Sequence, residues 1–218
     1  MRQVHFSGLT LSLFFLLTGC ARTLPPETAP GASAGPKQLR VGDPAPDFSL
    51  PALDGKSTLQ VSQLAGKPIV LYFGSSTCPF FRASMMPIKR TFDLYKESAH
   101  VVVVYTREAH PVLPVEGDDR EIQEQREQIA RKFATEFELT MPVVVDPADN
   151  RVERAYCAMP LRICIIDTKG RIAYLSEPGP LGFQTGAVAP LLDKMLNTEL
   201  AGTFGFIPQM AADTEDDN

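Results

Sequence analysis

Apolar residues come in short unbroken runs along this chain, and segments with helical patterning stand between the runs. A run of about five apolar residues is typical of a strand that is buried on both faces of a sheet. The predicted strands are 69–73, 101–105, 142–146, 162–167 and 171–175, and the predicted helices are 79–95, 120–139, 151–157 and 188–196. This alternation predicts an α/β domain with a central, mainly parallel sheet and helices on both faces.

The last two predicted strands are connected through the turn residues Lys169 and Gly170. So short a connection reverses the chain, which predicts an antiparallel hairpin at the edge of the sheet. Four residues of the long helix recur at helical spacing and are assigned to the core: Ile122, Ile129, Phe133 and Phe137. We therefore predict a single thioredoxin-like domain over residues 41–198.

Both ends of the chain differ in character from this domain. An apolar run at 9–17 is too short for a permanent membrane helix and predicts a signal peptide over 1–19. It ends in Leu-Thr-Gly-Cys, which resembles the bacterial lipobox, so Cys20 is predicted to be lipidated; a plain transmembrane anchor or cleavage elsewhere are the alternatives. Residues 20–40 read as a lipidated cysteine with a flexible Pro/Ala/Gly-rich linker, and 199–218 as a partly disordered acidic tail.

These end segments predict the location of the protein. A lipid anchor at Cys20 would hold the domain on a membrane of the cell envelope, facing the periplasm. Ala21 after the lipobox cysteine favours the outer membrane.

The charge of the chain argues against a nucleic-acid partner. The net charge is −5, from 21 basic and 26 acidic residues, and no basic cluster is present that could follow a nucleic-acid backbone. We find no spacing of metal ligands and expect neither a metal nor a cofactor.

The turn after the first long strand carries the main chemical candidate. Gly74 permits a sharp bend, small polar residues follow it, and Cys78-Pro79 has the pattern of a helix N-terminus. The positive end of a helix dipole favours thiolate over thiol, so a lowered pKa is expected for a solvent-reachable Cys78. The alternative is a small buried hydrophobic residue.

A second turn, 106–110, follows the strand that ends at Tyr105 and carries Glu108 and His110. In open α/β sheets ligands bind at the carboxyl ends of strands. We therefore expect both turns to share one rim of the sheet.

These two motifs, Phe73-Gly-Ser-Ser-Thr-Cys-Pro79 and Tyr105-Thr-Arg-Glu-Ala-His110, resemble those of the iodothyronine deiodinase family, which has selenocysteine or cysteine where Cys78 stands. The resemblance includes 126–131 and Arg162-Ile163, and it spans roughly 41–196. Residues 42–48 extend a broader similarity to peroxiredoxins and other thioredoxin-like redox proteins.

The resemblance implies a thiolate nucleophile at Cys78 with Glu108 and His110 nearby. His110 would supply a proton, and Glu108 would orient its imidazole. Arg162 is a candidate for holding an anionic intermediate or lowering the pKa of Cys78. The remaining supporting residues are Ser75, Ser76, Thr77 and Tyr105.

The chain also departs from the family pattern. Ser76 stands where many deiodinases have a second cysteine, and Arg120 stands about where the animal enzymes have a histidine. Without a Cys-x-x-Cys, dithiol exchange of the thioredoxin kind is disfavoured. Cys157 is a possible resolving thiol, although a structural role is preferred, and Cys164 reads as core. Pro160 is a candidate for the cis-proline that faces the thiol in thioredoxin-like proteins.

The sequence thus predicts an exported, lipid-anchored thiol oxidoreductase that acts on a small molecule or on a thiol or disulfide. Reductive dehalogenation, peroxide reduction and disulfide reduction remain open. No cofactor is needed if a small thiol or a reducing partner protein restores Cys78. The alternatives are a non-catalytic binding module and a redox chaperone of the cell envelope.

Overall fold

The computed structural model describes residues 38–111 and 117–203, with side chains up to residue 197 in the last helix. The predicted signal peptide, Cys20, nearly all of the linker and most of the tail lie outside the described residues.

The described part of the chain contains seven strands and five α-helices. The strands are β1 (Ser49–Pro51), β2 (Thr58–Gln60), β3 (Ile69–Gly74), β4 (His100–Tyr105), β5 (Val143–Val145), β6 (Arg162–Ile166) and β7 (Ile172–Leu175). The helices are α1 (Pro79–Ala83), α2 (Met85–Tyr95), α3 (Asp119–Glu136), α4 (Arg151–Tyr156) and α5 (Val188–Thr203).

The central sheet has five strands in the order β5-β4-β3-β6-β7. Strand β4 runs parallel to β3 and β5, whereas β6 is antiparallel to both β3 and β7. The predicted α/β class and the edge hairpin are confirmed, and the sheet is mixed rather than purely parallel: β6 alone of its five strands runs opposite to the others. An apolar run indicates a strand that is buried on both faces of the sheet. It does not indicate the direction of the strand, because a parallel and an antiparallel strand can be equally buried.

The helix predicted over 79–95 is divided in two at Ser84. Pro87 has no N–H to give to the carbonyl of Ala83, and its ring crowds that carbonyl, so one continuous helix is disfavoured. The short helix α1 therefore carries the residues next to Cys78 independently of α2.

The core lies on both faces of the sheet. On one face, side chains of β3 and β4 pack against α1, α2, α3 and α5; on the other they pack against α4 and the β1-β2 hairpin. Of the predicted core residues on α3, Phe133 is fully buried, whereas Ile122, Ile129 and Phe137 are half-buried. Arg126 occupies the buried stripe instead, together with Ala130 and Phe133.

Candidate active site

Cys78 is the N-cap of α1 and follows the sharp turn at the end of β3. The ring of Phe81 lies so close to Gly74 that an ideal Cβ on this residue would be only 2.3 Å from it. The turn therefore has no room for a side chain at position 74. The Cys78 N–H donates to the Ser75 carbonyl at 3.2 Å, and the Cys78 carbonyl accepts from the Arg82 N–H at 3.1 Å. The residue Cys78 is only 2% exposed and belongs to the core on the α1 side of the sheet, so the expectation of a solvent-reachable cysteine is not met.

The Glu108 carboxylate binds the two residues that precede Cys78. The Thr77 N–H donates to Oε2 at 2.8 Å, and the Ser76 hydroxyl lies 3.3 and 3.2 Å from Oε1 and Oε2. The Tyr105 hydroxyl also donates to Oε1, while it accepts from the Ser76 N–H at 3.0 Å. Glu108 and Tyr105 therefore fix the backbone of the turn that ends at Cys78.

Burial raises the pKa of Tyr105, and its hydrogen bond to the Glu108 carboxylate raises it further. The phenol consequently keeps its proton at neutral pH, which fixes the direction of this hydrogen bond. The connected hydroxyl and carboxylate groups of Tyr105, Glu108 and Ser76 form a hydrogen-bonded chain beside the thiol turn.

Two more hydrogen bonds join the second turn to the first. The Ala109 N–H donates to the Ser75 hydroxyl at 3.0 Å, and the His110 N–H donates to the Thr77 hydroxyl at 3.1 Å. The two predicted motifs thus meet at one rim of the sheet.

His110 itself is exposed. Within residues 38–111 and 117–203 no hydrogen bond or ion pair joins its imidazole to Glu108, whose bonded partners lie in the Cys78 turn and at Tyr105. The suggested orienting of His110 by Glu108 therefore has no counterpart among these contacts.

Arg162 starts β6 opposite Phe73 of β3, and its guanidinium is buried. It donates to the carbonyl of Ser176 at 2.7 Å and to those of Tyr156 and Cys157 at 2.9 and 3.2 Å. These bonds hold the end of α4 to the sheet. The predicted role of Arg162 at the thiol stays a prediction.

Cys78, Cys157 and Cys164 are all free thiols. Cys157 is half-buried, ends α4 in the left-handed conformation (φ 48°), and directs its thiol at the Arg154 carbonyl, 3.7 Å away. Cys164 is buried on β6, and burial raises the pKa of its thiol. The Met159–Pro160 peptide bond, just before β6, is cis.

A cavity of about 450 Å³ opens beside Glu108, between the 106–111 loop and α3. Its walls include Arg107, Ile122, Arg126 and Met159. The sequence did not indicate this pocket, because its walls come from four separate segments, 107–111, 122–129, 148–150 and 159. A volume in this range is typical of small-molecule sites.

No group of three or more His, Cys, Asp or Glu side chains within residues 38–111 and 117–203 could hold a metal ion. No helix of the same residues is long and apolar enough to cross a bilayer.

The fold places the protein among thioredoxin-like proteins. The exposed lipoprotein thioredoxin of Streptococcus pneumoniae superimposes with a TM-score of 0.51 at 21% identity, covering 68% of this chain and 99% of the other. The thioredoxin domain of a thiol-disulfide oxidoreductase from Bacteroides vulgatus superimposes with a TM-score of 0.50 at 18% identity, covering 73% and 98%. At these identities the likeness concerns the fold.

Within this fold class, the chain belongs to the iodothyronine deiodinase family, whose family model matches residues 34–196. It is 30% identical to the thyroxine 5-deiodinase of Gallus gallus over 166 residues, which are 72% of this chain and 64% of the relative. It is also 30% identical to the human type II iodothyronine deiodinase over 153 residues, 62% of this chain and 56% of the relative. The chain thus spans less than two thirds of the length of these relatives.

Proposed function

We propose that this protein is a thiol-dependent oxidoreductase of the cell envelope in which Cys78 is the nucleophile. The observation that carries the proposal is the convergence of Glu108 and Tyr105 on the turn that ends at Cys78. Family membership supports the same assignment, because the motif 73–79 resembles the family pattern that has selenocysteine or cysteine where Cys78 stands.

The proposed reaction begins with attack by the Cys78 thiolate on an iodine, oxygen or sulfur atom of the substrate. A bond from sulfur to that atom forms, the bond to the leaving group breaks, and the leaving group takes the electron pair and a proton. His110 supplies this proton, and Arg162 is retained as a candidate for stabilising the anionic intermediate. An external thiol then attacks the modified sulfur of Cys78 and forms a mixed disulfide with it, which displaces iodide or water; with a disulfide substrate the mixed disulfide forms in the first step. A second thiol attacks the mixed disulfide, which releases the Cys78 thiol and the oxidised external disulfide.

We place reductive dehalogenation first among the three reactions because the chain belongs to a deiodinase family. The cavity beside Glu108 is the proposed place for the substrate, since it borders the loop that holds the thiol turn. Its walls combine the apolar side chains of Ile122 and Met159 with the cations of Arg107 and Arg126. This combination suits a small molecule with an apolar body and polar groups.

The test is turnover by the full chain in detergent with dithiothreitol as reductant. An iodinated phenol, hydrogen peroxide and a small disulfide are supplied separately, and iodide, peroxide or thiol is measured. The wild type and Cys164→Ser should consume at least one substrate faster than dithiothreitol alone does, whereas Cys78→Ser should show only this uncatalysed rate. Equal rates with Cys78→Ser would contradict the proposal.

One observation favours a second candidate, the non-catalytic binding module. A cysteine that is only 2% exposed, as Cys78 is, behaves as an inert core residue unless the turn at 74–78 opens. Iodoacetamide labelling of the native protein, followed by peptide mass spectrometry, separates the two. Labelling of Cys78 only after unfolding would favour the binding module, whereas labelling in the native state supports the oxidoreductase. A redox chaperone would instead accumulate a mixed disulfide between Cys78 and another protein.

The proposal includes the location and partners of the protein. A lipid anchor on Cys20 holds it on the periplasmic face of a membrane, with the outer membrane favoured. A small thiol or a reducing partner protein restores Cys78, without a bound cofactor.

A further inference from the structure

Four charged side chains, three of them buried, form a cluster that includes the residue before Glu108. Arg107 precedes Glu108 on this loop, Asp146 follows β5, Glu153 lies on α4, and Arg126 lies on α3. Asp146, Arg126 and Glu153 are buried, with Glu153 only 3% exposed, whereas the side chain of Arg107 is half exposed. Charged residues are rarely buried unless they are paired, so the cluster needs an explanation.

Arg107 and Glu153 form a two-point ion pair. Nε of Arg107 donates to Oε2 of Glu153 at 3.1 Å, and the second guanidinium nitrogen lies 3.1 Å from Oε1. Both carboxylate oxygens are therefore engaged by a planar guanidinium, the geometry that gives such pairs their directional strength.

The other two members of the cluster fix the start of α4, which carries Glu153. The Asp146 carboxylate accepts from the N–H groups of Val152 and Glu153, each at 3.0 Å. Arg126 donates to the Asp146 carbonyl and to the side chain of Asn150, each at 2.8 Å. Glu153 is thus presented from an anchored helix, whereas Arg107 belongs to a loop.

We propose that Glu153 is a positioning residue which, through Arg107, holds the 106–110 loop where the Glu108 carboxylate binds the turn ahead of Cys78. Arg107 and Glu108 border the same cavity. An Arg107 released from Glu153 becomes an unpaired cation beside Glu108 and competes for the carboxylate that Ser76 and Thr77 require. The term positioning rests on the proposed function, but the placement of the loop can be measured without any activity.

The main test is amide hydrogen exchange of the full chain, followed by NMR at Thr77, Ala109 and His110. These amides donate to side chains across the two turns, so they report the contact of the loop with the Cys78 turn. In Glu153→Gln we expect their exchange to accelerate by about tenfold or more, as for one lost charge-assisted hydrogen bond. Exchange in β3 and β4 should stay unchanged.

The matched control is Glu127→Gln, which removes the carboxylate of a surface pair with Arg131 at 3.5 Å on α3. It should leave all three amides unchanged. Arg107→Gln, at a half-exposed position, should reproduce the effect of Glu153→Gln and replaces it if that variant does not fold. Unchanged exchange at the three amides, or equal acceleration across the sheet, would overturn the proposal.

A second readout uses the charge of the reagent that alkylates Cys78. Because Glu153 neutralises Arg107, Glu153→Gln should raise the ratio of the iodoacetate rate to the iodoacetamide rate several-fold. The double variant Arg107→Gln/Glu153→Gln should return the ratio to that of the wild type, whereas a purely structural role would change both rates in proportion. If neither reagent modifies Cys78 of the wild type, the proposed catalytic function fails, and hydrogen exchange still decides the role of Glu153.

Discussion

Glu108 lies three residues after Tyr105 and two before His110, in the turn that contacts the Cys78 turn. Its carboxylate receives hydrogen bonds from a backbone amide and two hydroxyls, which is a rich set of donors for a side chain near the surface. An acceptor with this many donors is held in one orientation. Glu108 is therefore part of the framework of the Cys78 turn as well as a candidate for its chemistry.

Removing the Tyr105 hydroxyl tests this framework. Tyr105→Phe deprives Glu108 of one donor and leaves the Ser76 N–H without its acceptor. We expect the free energy of unfolding in urea to fall by about 1–3 kcal/mol. Tyr174→Phe, at a half-buried position on β7, serves as the control and should change it by less than about 0.5 kcal/mol. Equal small effects of both variants would contradict the assigned role.

Arg162→Lys tests the structural contribution of Arg162. A lysine has one ammonium group and cannot satisfy the three carbonyls that the guanidinium bridges. We expect a loss of about 2 kcal/mol or more in the free energy of unfolding. Arg171→Lys, an exposed arginine that donates to the Gly42 carbonyl, should lose much less. Unchanged stability with slower Cys78 alkylation would instead assign Arg162 mainly to the thiol.

At the scale of elements, the junction between β3 and α1 decides where Cys78 lies. Gly74→Ala would place a methyl group 2.3 Å from the Phe81 ring, so either α1 or the strand end must move. We expect a destabilisation of about 1–3 kcal/mol, measured by urea unfolding. Gly186→Ala, where the added methyl group meets nothing within 4 Å, should be close to neutral. An unchanged free energy of unfolding in Gly74→Ala would contradict this, because it would mean that the junction accommodates the methyl group without destabilisation.

The ion pair between Arg107 of the 106–110 loop and Glu153 of α4 predicts that the free energy of unfolding depends on pH. Burial raises the pKa of Glu153 above its ordinary 4.5, and Arg107 opposes that shift. Arg107→Gln should therefore raise this pKa further. An acid with a raised folded-state pKa destabilises the fold when it ionises, so the contribution of Glu153 to stability is most favourable below pH 4.5 and is lost as the pH rises through its folded-state pKa.

The measurement is the free energy of unfolding in urea between about pH 4 and pH 8. The deficit of Arg107→Gln relative to the wild type should grow with pH, by about 1.4 kcal/mol for each added pKa unit. Arg107→Gln/Glu153→Gln should remove this growth. A deficit that is constant with pH would mean that the pair contributes little electrostatically.

For the whole molecule, the proposed anchor predicts where the protein is found. Cys20→Ser removes the acceptor for the acyl chains, so the protein should move from the membrane fraction to a soluble fraction of the producing bacterium. Fractionation with immunoblotting measures this, and Cys157→Ser is the control that should remain on the membrane. Membrane association of Cys20→Ser would point to another means of attachment.

The sequence by itself determined the class of fold, the order of its elements, the edge hairpin and the pairing of two polar turns at one rim. These features depend on local signals: apolar runs make strands, short turns make hairpins, and Gly and Pro limit where helices begin. Cys78 was correctly expected just ahead of a helix, because the Cys-Pro pair is itself such a signal.

Only the tertiary structure decided the antiparallel direction of β6, the burial of Cys78 and the partners of Glu108, Arg162 and Glu153. The bond from Thr77 to Glu108 joins residues 31 positions apart, and the one from Arg107 to Glu153 joins residues 46 positions apart. Contacts of this kind depend on how the elements pack, and a local pattern carries no information about the segment that will lie opposite. The physical reason is that the periodicity of a segment indicates how much of it is buried. Which other segment it packs against is determined only when the whole chain folds.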